Sequence, residues 1–441
     1  MTDPHDPSTG SGTDSLTDDA PAAGVSRRGL LGFVGAGAAG LALGAGAGLA
    51  GGVAVARAAA DTGAGASAYD FYGTHQAGVT TPVQDHLHFA AFDMMAGATR
   101  AALVSLLEEW SYAAARMTRG LDVTATGAVG GSPMAPPDDT GEAQGLSASN
   151  LTITFGFGPT LFEADGVDRF GIASRRPPEL HELPAFLGDD LDPLTSDGDL
   201  CIQACADDPQ VAVHAVRNLS RIAFGRARLR WSQLGFGRTS KTTAAQATPR
   251  NLFGYKDGTA NILADDREAL QDHVWVAAGD QPAWMTGGSY LVARKIAQLI
   301  ESWDRVRLAE QDRIIGRSKG EGAPLSGGNE FTAPDFEKAD AAGAPAIDMA
   351  AHVRLAHPAQ NSGARMLRRG YNFVDGNNDL GRLDAGLFFL SYQRSPEQFI
   401  TVQRALASDA LNEYIRPVGS ALFAVPPGAA PGSYVGAGLF A

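Results

Sequence analysis

The order of elements restricts this chain more than its composition does. Two stretches read strand, helix, strand, strand, helix. In the first, His86–Asp93 alternates as a strand and Arg100–Thr118 carries a helical period. Leu151–Phe157 and Leu200–Ala206 then alternate as strands, and Pro209–Ile222 is helical. The second stretch starts near Asn251. There Gly288–Ile296 reads as a strand and Ala297–Arg317 as a helix, Met366–Asn372 and Gly386–Gln393 as strands, and Phe399–Ala407 and Asp409–Tyr414 as helices. Two strands in succession between helices fit antiparallel sheets with helices on one face; alternating parallel units would place a helix after every strand. The expected class is therefore α+β, with two ferredoxin-like halves over residues 61–245 and 246–441. Asp138–Ser149 and Arg317–Ala346 read as loops.

Residues 1–60 do not belong to this pattern. Residues 1–25 are polar and acidic, and Ser26-Arg27-Arg28-Gly29-Leu30-Leu31 follows. The run from Gly29 to Ala56 then holds no charge, and ten of its 28 residues are Gly, out of 54 in the whole chain. So much Gly weakens a core helix and dilutes a membrane span. Paired arginines, a weakly apolar run and the small residues Ala58-Ala59-Ala60 together match a twin-arginine export signal. Cleavage near Ala58–Ala60 is expected, with retention as an anchor the alternative. The implied location is the periplasm, the cell envelope or the exterior. That route carries folded proteins, often with a cofactor already inserted.

The remaining composition excludes other classes. Apolar residues are 44% and charged residues 19%, which supports a packed core and rules out a disordered chain. A net charge of −14 disfavours nucleic-acid binding, which needs clustered Lys and Arg. Cys201 and Cys205 alternate onto one face of a strand, ~13 Å apart at ~3.3 Å per residue, too far for a disulfide. They read as buried thiols. His75 and His214 read as structural, and His86 with His88 lacks an evident third metal ligand.

Three segments carry chemistry. Asn251-Leu-Phe-Gly-Tyr-Lys-Asp-Gly-Thr-Ala-Asn261 brackets Asp257 with Gly254 and Gly258, where the backbone can approach a bound group. Asp-Gly is also a common turn pair. Ala351-His-Val-Arg-Leu-Ala-His-Pro-Ala359 contains His352, and Met366-Leu-Arg-Arg-Gly-Tyr371 contains Arg368. A lone His is more often structural than a ligand.

Taken together, these segments resemble the Dyp-type (dye-decolourising) haem peroxidases, most of all their exported deferrochelatase/peroxidase branch. Phe71–Pro82, Phe89–Asp93, Asp312–Arg317 and Glu413–Pro417 extend the match over residues 69–426. The resemblance implies haem b in the C-terminal half, with His352 as the iron ligand and Glu413 as the acidic partner of its other ring nitrogen. It assigns Asp257 and Arg368 to the peroxide side. It places Gly258, Thr259 and Ala260, together with His357, Pro358 and Ala359, against the haem, with His357 standing where Asn is common in the family. The implied reaction uses H2O2 to oxidise a small organic reductant (a dye, phenol or porphyrinogen) in one-electron steps, with Asp257 as base and Arg368 stabilising charge. A carboxylate base, with an ordinary pKa near ~3.9, implies an acidic pH optimum. Bulky donors would be oxidised through Trp231, Trp284, Trp303 or Tyr392, each of which reads first as core packing. A homodimer or higher oligomer, iron-uptake partners and iron release from haem are implied at the level of the branch. The competing readings are a non-catalytic haem-binding or haem-delivery protein and an extracytoplasmic solute-binding protein.

Overall fold

The computed structural model describes residues 68–441; the expected export signal lies outside the described residues. Nine strands form one antiparallel sheet: β1 His86–Met94, β2 Thr152–Phe157, β3 Leu200–Ala206, β4 Ala227–Arg238, β5 Ser289–Gln298, β6 Leu367–Arg368, β7 Tyr371–Asn377, β8 Leu383–Gln393 and β9 Ile415–Val425. The first four run β4-β1-β3-β2 across the sheet, and the later ones run β7-β8-β5-β9. Each set has the order of a ferredoxin-like sheet, as expected. The two sets join through β2–β9 and β4–β7, and β5 bonds both β8 and β9, so eight strands close into a ring.

Alternation along each strand divides the apolar side chains into two cores. Leu87, Phe89, Leu291, Phe388, Tyr392 and Phe423 come from strands all around the ring and fill its middle. Ala90, Phe92, Ile153, Phe155 and Ile202 point the other way, onto the helices. Helix α1 (Arg100–Met117) starts at Thr99, whose side chain accepts from the Ala102 N–H. It buries Leu103, Leu106, Leu107, Trp110 and Ala114, the i, i+3, i+4, i+7 stripe of an amphipathic helix. Helix α2 (Pro209–Ala223) is capped by Asp208 and opens on Pro209, which fits the first turn because that position has no N–H to lose. Among the described residues, no helix is long and apolar enough to cross a membrane.

Two expectations need correction. The helix expected over Ala297–Arg317 is broken: β5 runs on to Gln298, a single turn covers Ile300–Trp303, and helix α3 spans only Leu308–Ile315, closed by left-handed Gly316. The Asp409–Tyr414 helix is a short 3₁₀ turn over Ala410–Glu413. The strand expected at Met366–Asn372 is nearly continuous. β6 and β7 share one register on β8, Leu367 opposite Tyr392 and Tyr371 opposite Phe388, and the Arg369 N–H bonds Leu390 O between them. Cys201 and Cys205 are buried free thiols on β3, and burial raises the pKa of both.

Candidate active site

The segment around Asp257 is a tight loop closed by its own backbone. Asn251 N–H bonds Tyr255 O at 3.1 Å, and Asp257 N–H bonds Pro249 O at 2.9 Å. Gly258 has φ +91°, and a Cβ there would stand 2.8 Å from Ser240 Cα. Only Gly satisfies both the left-handed backbone and the close approach. Tyr255 donates its hydroxyl to Asp312 at 2.5 Å, and the same carboxylate oxygen accepts from Lys319 N–H at 2.9 Å. That bond explains the Asp312–Arg317 motif, because α3 anchors the loop through it. From the other side Glu330 pairs with Lys256 and accepts from the Thr259 hydroxyl at 3.2 Å, tying the 317–346 loop down.

Arg368 ends β6. Its Nη1 lies 2.6 Å from Asp257 Oδ1 and joins two segments 111 residues apart. Next to it, Arg369 points the opposite way and is fully buried, donating to Thr81 O at 2.6 Å and to Gln84. Successive strand residues face opposite sides, so the Arg-Arg pair splits between site and ring core.

His352 opens a single-turn helix, α4 (His352–Leu355), and its ring Nδ1 lies 2.6 Å from Asp409 Oδ2. The expected partner, Glu413, does not reach this nitrogen. Asp409 caps the 3₁₀ turn, with its second oxygen accepting from Leu411 N–H at 2.9 Å, and its side chain is only 2% exposed. Glu413 sits at the far end of that turn and is exposed. Burial opposes a charge on His352, but the nearby Asp409 carboxylate outweighs it and raises the ring pKa; the charges of Asp257 and Arg368 also reach the ring. All three side chains therefore act on one space.

The other expected positions take these places. Thr259 bonds Glu330, as described. His357 caps the Pro358–Gln360 turn, its Nδ1 accepting from Ala359 N–H at 3.2 Å, and burial with the Arg317 charge lowers its pKa. Trp231, Trp284, Trp303 and Tyr392 are all buried. Their polar atoms bond Asp197 O, Arg175 O, Phe253 O and the Gln203 side chain in turn.

The donor set fits a haem. One imidazole nitrogen is held by a sealed carboxylate while the ring itself is 37% exposed, which leaves Nε2 to meet an iron. The paired Asp257 carboxylate and Arg368 guanidinium stand close enough for their charges to reach the same ring. Such a site, on two ferredoxin-like sets of strands, is that of a haem peroxidase. The chain belongs to the Dyp-type peroxidase family: the model of its N-terminal part matches residues 76–237, and that of its C-terminal part matches residues 248–430. Among individual proteins, it is 38% identical over 376 residues to the deferrochelatase of Escherichia coli O157:H7, covering 84% of this chain and 86% of that one. DtpA from Streptomyces lividans, solved as an oxyferrous complex, is 42% identical with a TM-score of 0.78, covering 86% of this chain and 98% of its own. A DyP-type peroxidase from Cellulomonas bogoriensis is 39% identical with a TM-score of 0.76, covering 86% and 99%.

Proposed function

We propose that this haem peroxidase consumes H2O2 with Asp257 as the proton carrier and Arg368 as the charge-stabilising group, and that His352 would hold the haem iron. The observation that carries this reading is the 2.6 Å contact between Asp257 and Arg368. When bound, the haem supplies the redox chemistry of O–O cleavage and of the later one-electron oxidations. The protein supplies the rest. His352 would hold the iron through Nε2, while Asp409 fixes the ring through Nδ1. Asp257 would accept a proton from one peroxide oxygen and return it to the other, so that water leaves. Arg368 stays charged throughout and offsets negative charge as the O–O bond breaks. Gly258, Thr259 and Ala260, and the His357–Ala359 turn, would form walls of the pocket.

A protein that only carried haem would not need two opposed charges in the space above it. The test is an absorption spectrum of the purified haem-loaded protein before and after one equivalent of H2O2. Prompt conversion to an oxidised spectrum that decays when a dye is added supports the reading, and an unchanged spectrum overturns it.

Residues 1–60 would direct export by the twin-arginine route, on the strength of Arg27-Arg28 and the uncharged run behind them. Replacing both arginines with lysine should hold the enzyme inside the cell; continued export would refute this. The halves over 61–245 and 246–441, a homodimer or higher oligomer, and a link to iron uptake complete the proposal. For iron release, likeness to deferrochelatases is the support. Protoporphyrin IX appearing on incubation with haem would establish it, and its absence would leave peroxidase turnover alone.

A further inference from the structure

We infer that Asn261 is a positioning residue for this reaction, a splint that fixes Arg368 over Asp257; the inference rests on the peroxidase reading above. Arg368 needs such a splint. Only its Nη1 meets Asp257, so the ion pair is a single contact and not a two-pronged clamp, and the side chain is 30% exposed. Where the guanidinium points is therefore set largely by its backbone.

That backbone lies at a gap in the sheet. On one side β6 pairs with β8, Arg368 opposite Ser391. On the other side β4 accompanies β7 as far as Arg238 opposite Tyr371, and Thr239 N–H still bonds Gly370 O at 2.9 Å. Gly370 N–H then turns to the Ser240 side chain at 3.2 Å. Continued by the same register, the next partner of Arg368 would be Lys241, yet no backbone bond joins the two among the described residues. The Asn261 carboxamide fills that position. Its Oδ1 accepts from Arg368 N–H at 2.7 Å. Its Nδ2 donates to Arg368 O and to Lys241 O, both at 2.8 Å. One side chain thus replaces the missing strand, bonding both backbone groups of the arginine and the carbonyl of Lys241, three residues past β4, that should have bonded them.

Asn261 belongs to the loop of Asp257, four residues downstream, and its own N–H bonds Gly258 O at 3.2 Å. Base and arginine come from segments more than a hundred residues apart, and this carboxamide sets the distance between them. It is 7% exposed, so water cannot readily stand in for it. An apolar replacement would leave three backbone groups unpaired, a costly state away from solvent. The end of β6 would move to satisfy them and carry Arg368 with it.

The test uses the haem-loaded enzyme and two variants, Asn261→Leu, which keeps the branching and removes every side-chain hydrogen bond, and Asn261→Asp, which keeps the shape but turns an oxygen toward Arg368 O and Lys241 O. Two quantities are read: the second-order rate with H2O2 and the affinity of the ferric protein for fluoride, a small anion that an adjacent guanidinium holds whether or not peroxide reacts. Asn261→Leu should lower both by about tenfold or more, since small misplacements of a reacting group are expensive. In an Arg368→Leu background the same change should alter neither by more than about twofold, because the two residues act as one unit. Values within about twofold of the parent, or equal losses with and without Arg368, would overturn the inference. If Asn261→Leu does not fold, Asn261→Asp decides by the same comparison. If the parent itself ignores peroxide, the peroxidase reading fails while fluoride binding still decides the role of Asn261.

Discussion

Asp409 holds His352 from a distance of 57 residues, its Oδ2 2.6 Å from the ring Nδ1 and its side chain sealed from solvent at 2% exposure. A sealed carboxylate pushes electron density into the imidazole and on toward a bound iron. Asp409→Asn should raise the haem reduction potential, and Asp409→Ala should weaken haem binding by roughly 10–100-fold. Glu413→Gln should change neither. Spectroelectrochemistry and haem transfer to an apo-acceptor protein measure both, and the reverse ranking of Asp409 and Glu413 would restore Glu413 as the partner.

His352→Ala should remove the imidazole proposed to hold the iron. The purified protein should lack a normal Soret band after haem reconstitution; a normal band with retained activity would place the ligand elsewhere.

Arg368→Leu should slow the reaction with H2O2 by more than about tenfold, since a preorganised charge beside a breaking bond is among the largest catalytic contributions. Asp257→Asn should slow it too, because the amide cannot carry the proton. Stopped-flow spectra at varied peroxide concentration give the rates. An unchanged rate for Arg368→Leu would leave the arginine a structural role only.

His88 predicts a loss of stability in acid. It lies on β1 with its ring Nδ1 buried and without a hydrogen-bond partner, and burial lowers its pKa to about 4 from 6.5. The unfolded chain therefore binds a proton that the folded chain refuses between those values, so stability falls as pH drops from about 6.5 toward 4. The loss from this residue is on the order of 1–3 kcal/mol. Urea unfolding at pH 7 and pH 4.5 measures it, and His88→Gln should flatten the slope.

Cys201 and Cys205 should not react with a thiol reagent in the native state, since both are buried on β3 and their thiolates are disfavoured. Labelling should begin only with unfolding; rapid labelling of the native protein would contradict their placement.

Much of this fold was legible because its periods are clean. Arg100–Met117 and Pro209–Ala223 show helical stripes with Thr99 and Asp208 as caps, and the strands alternate between two cores. Closure of the strands into a ring was not legible, because β2–β9 and β4–β7 pair residues far apart with few bonds. Asp257, His352 and Arg368 were visible only through the resemblance of their motifs. Asp409 was missed, although Ser408-Asp409 before a short apolar turn carries the signal of a capping residue. The resemblance pointed to Glu413, and turn geometry decided for the other carboxylate. Asn261 was quoted only as the end of a motif. Its importance depends on where β4 stops, and local pattern does not set that point.

Arg368 and Arg369 are neighbours of identical chemistry, and only the pairing of their strand with β8 separates their fates. A slip of one residue would send every side chain of that strand to the opposite face. Arg369 would then face Asp257, while Arg368 would be driven into an apolar ring with no Thr81 or Gln84 placed to receive it. Parity along the strand thus decides which guanidinium meets Asp257. A single-residue insertion or deletion between Asn361 and Arg368 that shifted this register should silence the enzyme without touching any catalytic side chain, whereas a two-residue change would keep the parity. Engineering of that connection should therefore proceed in steps of two.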